Sequence, residues 1–228
     1  MKPIRLLAFL AILVAAPLAT FAAASPAAAP AASAPTGWKQ HLDASTDASD
    51  PDAAGEVKIV NAGTGFHIET PVAAVFWHPT NQATGNYTLK GEFVLNKPST
   101  HQNFYGFVFG GSGLEGASQK YTYFMVAQTG AWIAKTRNGA TTAPAFTGIV
   151  GASRTGAVIN TNVVKMPVGN GKSTNIVEIR VQSDKVDFAI NGTVVHSAPK
   201  AGLVTDGIWG LRSNHILDIG VDHISLTH

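Results

Sequence analysis

After Gly55 the chain runs in short stretches of Val, Ile, Thr, Phe and Tyr broken by Gly or Asn, and no stretch sustains a 3.6-residue apolar period over three turns. The pattern predicts strands over 56–61, 65–69, 73–77, 86–95, 103–110, 120–127, 131–137, 175–182, 185–190, 193–196, 207–213 and 216–227. In the eighth of these Val177, Ile179 and Val181 fall on one side and Glu178, Arg180 and Gln182 on the other, so one face is core and the other wet. Asn138-Gly139, Asn170-Gly171 and Asn191-Gly192 supply the positive φ that tight type I′ turns need. Asn191-Gly192 sits between 186–190 and 193–195 and predicts a two-residue hairpin, which Ser183-Asp184 extends to a three-stranded meander. About a dozen strands with local meanders predict an all-β chain built as a two-sheet antiparallel jelly-roll sandwich. No period of about 40–50 residues points to propeller blades.

The first 37 residues follow another pattern. Lys2 and Arg5 precede a wholly apolar run over 6–16, and Ala22-Ala23-Ala24 places small residues at the cleavage positions before Ser25, which reads as a signal peptide over 1–24. The apolar run is shorter than the roughly 20 residues a spanning helix needs. From 25 to 35 the chain is Ala, Pro and Ser alone, so 25–37 reads as a disordered linker and 38–228 as one folded domain. The expectation is a secreted or periplasmic protein without a stable membrane anchor after cleavage.

Charge sharpens this expectation. Charged residues are 13% of the chain, against roughly 25% in average soluble proteins. The formal charge of +2 vanishes once Lys2 and Arg5 leave with the leader. A neutral chain without a run of Lys or Arg argues against nucleic acid and anionic membrane surfaces and for a neutral partner, with the domain expected as a monomer. The chain contains no cysteine, which excludes disulfides, zinc-thiolate sites and a thiol nucleophile.

Tyr87-Thr88-Leu89-Lys90-Gly91-Glu92-Phe93, Phe104-Tyr105-Gly106-Phe107-Val108-Phe109-Gly110-Gly111, Tyr121–Val126, Asn175–Gly192 and Asp206-Gly207-Ile208-Trp209-Gly210-Leu211-Arg212 follow one another in an order that resembles the concanavalin A-like lectin/glucanase superfamily. Within it the chain is most similar to secreted bacterial domains of the laminin-G-like and 3-keto-disaccharide hydrolase-like type. The resemblance covers roughly 55–228 and implies a jelly roll whose concave sheet binds carbohydrate in some members and mediates protein contacts in others. Hydrolase members carry paired carboxylates, and the 3-keto-sugar-cleaving members are metal-assisted enzymes using His and acidic residues. No matching motif maps onto named positions here, and fold alone does not assign function.

Chemistry is sparse along the chain. A glycosidase needs two carboxyl groups about 5–5.5 Å or about 6.5–9.5 Å apart. No Glu-x-Asp-x-Glu run exists, Asp218 and Asp222 stand roughly 13 Å apart along a strand, Glu92 sits alone beside Lys90, and Glu115 lies in a loop. The histidines at 41, 67, 78, 101, 196, 215, 223 and 228 form no His-x-His or His-x-x-x-His pair. A metal site is therefore not expected, and neither is any other cofactor, unless distant strands assemble one. Asp43, Asp47, Asp50 and Asp52 offer the oxygen ligands of a Ca²⁺ site, although without an EF-hand spacing.

Arg212, Asn214 and His215 gather a fork donor, an amide and an imidazole at a strand end, the mixed donors and acceptors that sugar hydroxyls take. The plain alternative is a β-turn in which Asn214 accepts positive φ. Trp77, Tyr105, Tyr121, Tyr123 and Trp132 are candidate sugar-stacking rings, with Arg137 at the groove edge, while Phe107, Phe109 and Phe124 are expected in the core. The leading expectation is a domain that binds a neutral glycan on its concave sheet, without catalysis of its own. A 3-keto-glycoside or related sugar hydrolase and a structural or protein-interaction domain are the alternatives.

Overall fold

The computed structural model of the chain describes residues 35–169 and 171–228. The expected signal peptide and linker residues 25–34 lie outside them. Pro35–Gly37, expected in the linker, form a turn closed by the Trp38 N–H on the Pro35 carbonyl at 3.0 Å.

Two antiparallel sheets carry the fold. The first runs β1(Lys39–Asp43), β4(Ala73–Ala83), β14(Gly207–Ser213), β6(Phe104–Ser112), β7(Lys120–Ala127), β8(Ala131–Asn138), β10(Val158–Ile159), with β9(Thr141–Pro144) also paired to β8. The second runs β13(Thr193–Pro199), β12(Lys185–Ile190), β11(Ser173–Val181), β5(Tyr87–Lys97), β15(Leu217–Thr227), β3(Gly65–Thr70), β2(Lys58–Ala62). Every expected strand is present within a few residues. β1, β9 and β10 escape the pattern because β1 is a mostly polar edge strand, β9 is exposed throughout and β10 has two residues.

Alternation along the strands builds two apolar layers. Between the sheets lie Phe93, Tyr105, Phe107, Phe109, Phe124, Trp132, Val177, Ile179 and Phe188, all buried. Phe93 meets Phe107 edge-on at 4.9 Å and Phe124 meets Phe188 at 5.1 Å, so rings from both sheets interlock. Val75, Trp77, Val108, Tyr121, Tyr123, Met125 and Ile133 form a second layer on the outer face of the first sheet.

The turns differ in part from expectation. Asn191 (φ 50°) and Gly192 (φ 84°) make the anticipated type I′ hairpin. At Asn138-Gly139 only Gly139 has positive φ, and Asn170 lies outside the described residues. Beside His215 the left-handed residue is Ile216 (φ 54°) rather than Asn214.

Candidate functional site

Strand register brings three loops to one end of the sandwich. Asp43 ends β1 opposite Ala73 at the start of β4, and Ser213 ends β14 opposite Ala74 and Tyr105. The loops over 44–57, 98–103 and 214–216 leave from this end.

Alternation on β14 turns Leu211 toward the inter-sheet core and Arg212 onto the outer face. There the Arg212 Nη1 donates to Asp43 Oδ2 at 2.5 Å and to the Tyr121 hydroxyl at 2.8 Å. Its Cζ lies 5.2 Å from the Tyr123 ring and 5.9 Å from the Tyr121 ring, within cation–π range. Arg137 Nη2 and Gln119 Nε2 each donate to Asp43 Oδ1 at 3.1 Å. Burial raises the pKa of Asp43, but the two guanidiniums and the Arg212 and Gln119 hydrogen bonds outweigh it and hold the carboxyl below the usual aspartate value. Burial pushes the Tyr121 phenol up to about 12, so it donates or accepts as a neutral hydroxyl. The buried Arg212 Nε has no partner among the described residues.

Beside this pair the loops assemble a second cluster. His215 Nε2 lies 2.9 Å from His101 Nε2 and 3.2 Å from Asp50 Oδ1, and His101 Nε2 lies 2.9 Å from the same Asp50 oxygen. On its other side the His215 ring meets Asp52 Oδ1 through Nδ1 at 2.9 Å. A cleft of about 180 Å³ joins the two clusters, lined by Asp43, Ser45, Asp50, Asp52, Ala73, Arg212, Asn214 and His215.

The nine sequence-predicted site residues divide. Arg212, Asn214 and His215 do converge on one cleft, and Arg137 reaches its floor through Asp43. Tyr105 and Trp132 belong to the inter-sheet core instead, because they share strand faces with Phe107 and Ala134. Trp77, Tyr121 and Tyr123 do lie on the outer face of the first sheet, yet they are buried at 2%, 3% and 5% exposure, which leaves no open ring for a sugar to stack on.

Of the four aspartates considered for Ca²⁺, Asp43, Asp50 and Asp52 line this cleft, each with its own partners. Asp43 takes the guanidiniums, Asp47 takes the Ser49 N–H at 2.8 Å, Asp50 the two imidazoles, and Asp52 takes His215 and the Ser45 N–H at 2.7 Å. His101 was not singled out from the sequence. Its loop carries no local spacing signal, and only the meeting of three loops places it beside His215.

A larger, shallower cleft of about 730 Å³ runs over the outer face of the second sheet, lined in part by His67, Glu92, Asn96, Asp218 and Asp222. Cross-strand pairing sets Glu92 opposite Asp222, so Glu92 is less isolated than its own strand indicates. Asp222 accepts through one oxygen, Oδ1, from Thr64 Oγ1 and the His223 N–H.

No protein-family model and no curated protein sequence matches the chain. Its architecture does match solved structures. The carbohydrate binding module CBM66 from Bacillus subtilis superposes with a TM-score of 0.56 at 8% identity, covering 85% of this chain and 96% of that one. A protein of unknown function with a galectin-like fold from Bacillus subtilis gives 0.51 at 12% identity, covering 83% and 88%. The fold is a two-sheet antiparallel jelly-roll sandwich. The catalytic domain of an endo-1,3-beta-glucanase (laminarinase) from Thermotoga petrophila is a looser likeness, with a TM-score of 0.40 at 15% identity over 83% of this chain and 82% of that one. Among the described residues no helix is long and apolar enough to cross a membrane.

Proposed function

We propose that this jelly roll is a secreted or periplasmic carbohydrate-binding domain that takes a neutral glycan in the polar cleft at the end of the sandwich. The composition of that cleft carries the reading. Within about 180 Å³ it presents carboxylates, a hydroxyl, a guanidinium, a side-chain amide and an imidazole, the alternating donors and acceptors that vicinal sugar hydroxyls satisfy. One of these groups, Asn214, keeps its side-chain hydrogen-bonding capacity, because its bonds to Phe104 and Thr70 run through its backbone. Recognition would rest on polar groups rather than ring stacking, since the candidate rings are buried. The low charge of the chain suits an uncharged ligand, and the structural similarity to a carbohydrate binding module agrees with the reading without deciding it.

A second reading, sugar hydrolysis, draws on one observation: the same cleft borders two imidazoles and two carboxylates brought from separate loops. These residue types serve general acid–base work. A glycan array followed by calorimetry separates the readings. The expected result is saturable binding of a neutral oligosaccharide, weakened about 10-fold by Asn214→Ala through the loss of about 1.4 kcal/mol of hydrogen bonding, with the sugar recovered intact. No binding anywhere on the array, or binding indifferent to Asn214→Ala, overturns the cleft assignment, and cleaved product supports the hydrolase.

A further inference from the structure

We propose that His101, His215 and Asp50 form a site for one divalent transition-metal ion of the zinc type, with Asp52 as the outer partner that orients His215. The donor atoms are already converged: His101 Nε2, His215 Nε2 and Asp50 Oδ1 stand 2.9, 2.9 and 3.2 Å from one another. A point about 2.0–2.1 Å from all three, the bond length zinc makes to nitrogen and carboxylate oxygen, lies about 1 Å out of their plane.

Proton bookkeeping favours a cation there. The Asp52 carboxylate only accepts, so the 2.9 Å contact to His215 Nδ1 places the proton on Nδ1 and leaves a lone pair on Nε2, directed at His101 and Asp50. His101 Nε2 also lies 3.3 Å from Asn103 Nδ2, an amide donor, and its Nδ1 lies 3.2 Å from Thr100 Oγ1. With both rings neutral, at most one ring proton serves three electron-rich atoms. A metal ion satisfies all three at once. The carboxylate–imidazole–centre arrangement is the one that fixes the tautomer of metal-ligating histidines.

Ligand type and burial narrow the occupant. Two imidazoles with one carboxylate favour zinc and its neighbours over Ca²⁺ or Mg²⁺, which take oxygen shells. The His215 side chain is buried at 7% exposure, whereas that of Asp50 is 50% exposed, so an ion has an approach from solvent. Three protein ligands leave a coordination position for water or a ligand oxygen, as in exchangeable sites rather than closed structural ones. Such an ion would tie the 44–57, 98–103 and 214–216 loops into one unit.

The inference does not rest on the sugar reading, and its test contains no sugar. The full chain, purified without a histidine tag and stripped with EDTA, is titrated with zinc chloride by calorimetry and with cobalt chloride by visible absorption. One ion per chain is expected, weakened about 100-fold or more by His101→Ala or His215→Ala and about 10–100-fold by Asp52→Asn. His67→Ala, in the separate His67–Glu69–Asp218 group, is expected to leave the affinity unchanged. Should His215→Ala fail to fold, as read by circular dichroism, His101→Ala decides, because its side chain is 38% exposed. The proposal is overturned by no saturable binding up to about 0.1 mM zinc, by binding that survives His101→Ala, or by binding lost with His67→Ala.

Discussion

Arg212 shows how much one side chain in this fold must satisfy. Its guanidinium meets a carboxylate, a phenol and two ring faces while itself buried. Removing one member of a buried pair leaves the other charge without compensation, which outweighs the modest net value of the intact pair. Arg212→Ala is therefore expected to cost about 3–5 kcal/mol in urea unfolding; a change within 1 kcal/mol would mean that water reaches Asp43 freely. The sign of the pH effect follows from the lowered Asp43 pKa. A depressed carboxyl contributes stability that is fully present above the unfolded value of about 3.9 and is lost as pH falls through the lower folded value. Asp43→Asn should flatten the acid limb of a stability-against-pH curve below about pH 4, and an unchanged limb would contradict the account.

At the scale of elements, the hairpin of β12 and β13 carries more than its turn. Asn191 was legible as a type I′ residue from the Asn-Gly pair alone. Its side chain also accepts from the Ile176 N–H at 2.9 Å and donates to the Val163 carbonyl at 2.8 Å and to Asn175 Oδ1 at 2.9 Å. Asn175 in turn clasps both backbone groups of Lys165. These two amides pin the otherwise irregular chain over 163–165 to the second sheet, which no local pattern announces. Asn191→Ala is expected to destabilise by about 3 kcal/mol, combining a left-handed backbone cost with partners left unpaired. Asn191→Gly, which keeps the turn and loses only the clasp, should unfold at an intermediate denaturant concentration, and a midpoint equal to that of the unsubstituted protein would show that the clasp adds nothing.

Over the whole molecule, the sheets were readable and the cleft was only half so. Period-two alternation fixes which strands exist and which residues share a face, so Val177, Ile179 and Val181 lie in the core as their spacing requires. Alternation does not reveal what covers a face. Tyr121 and Tyr123 lie on the opposite face of their strand from the core phenylalanine Phe124 and are nonetheless buried, as members of a second apolar layer. Arg212, Asn214 and His215 were legible because they are consecutive or nearly so, at a strand end where polar residues interrupt an apolar run. Asp50, Asp52 and His101 join them through contacts across 165, 163 and 114 residues of sequence, distances at which only the folded topology specifies neighbours.

The central claim, a neutral glycan held in the end cleft, is tested most directly by nuclear magnetic resonance titration of the full chain with the strongest oligosaccharide from the array. The account predicts shifts confined to the amides around Asp43, Ser45, Asp50, Asp52, Arg212, Asn214 and His215. Shifts centred instead on the outer face of the second sheet, around His67, Glu92 and Asp222, would contradict it, as would a spectrum that no sugar changes.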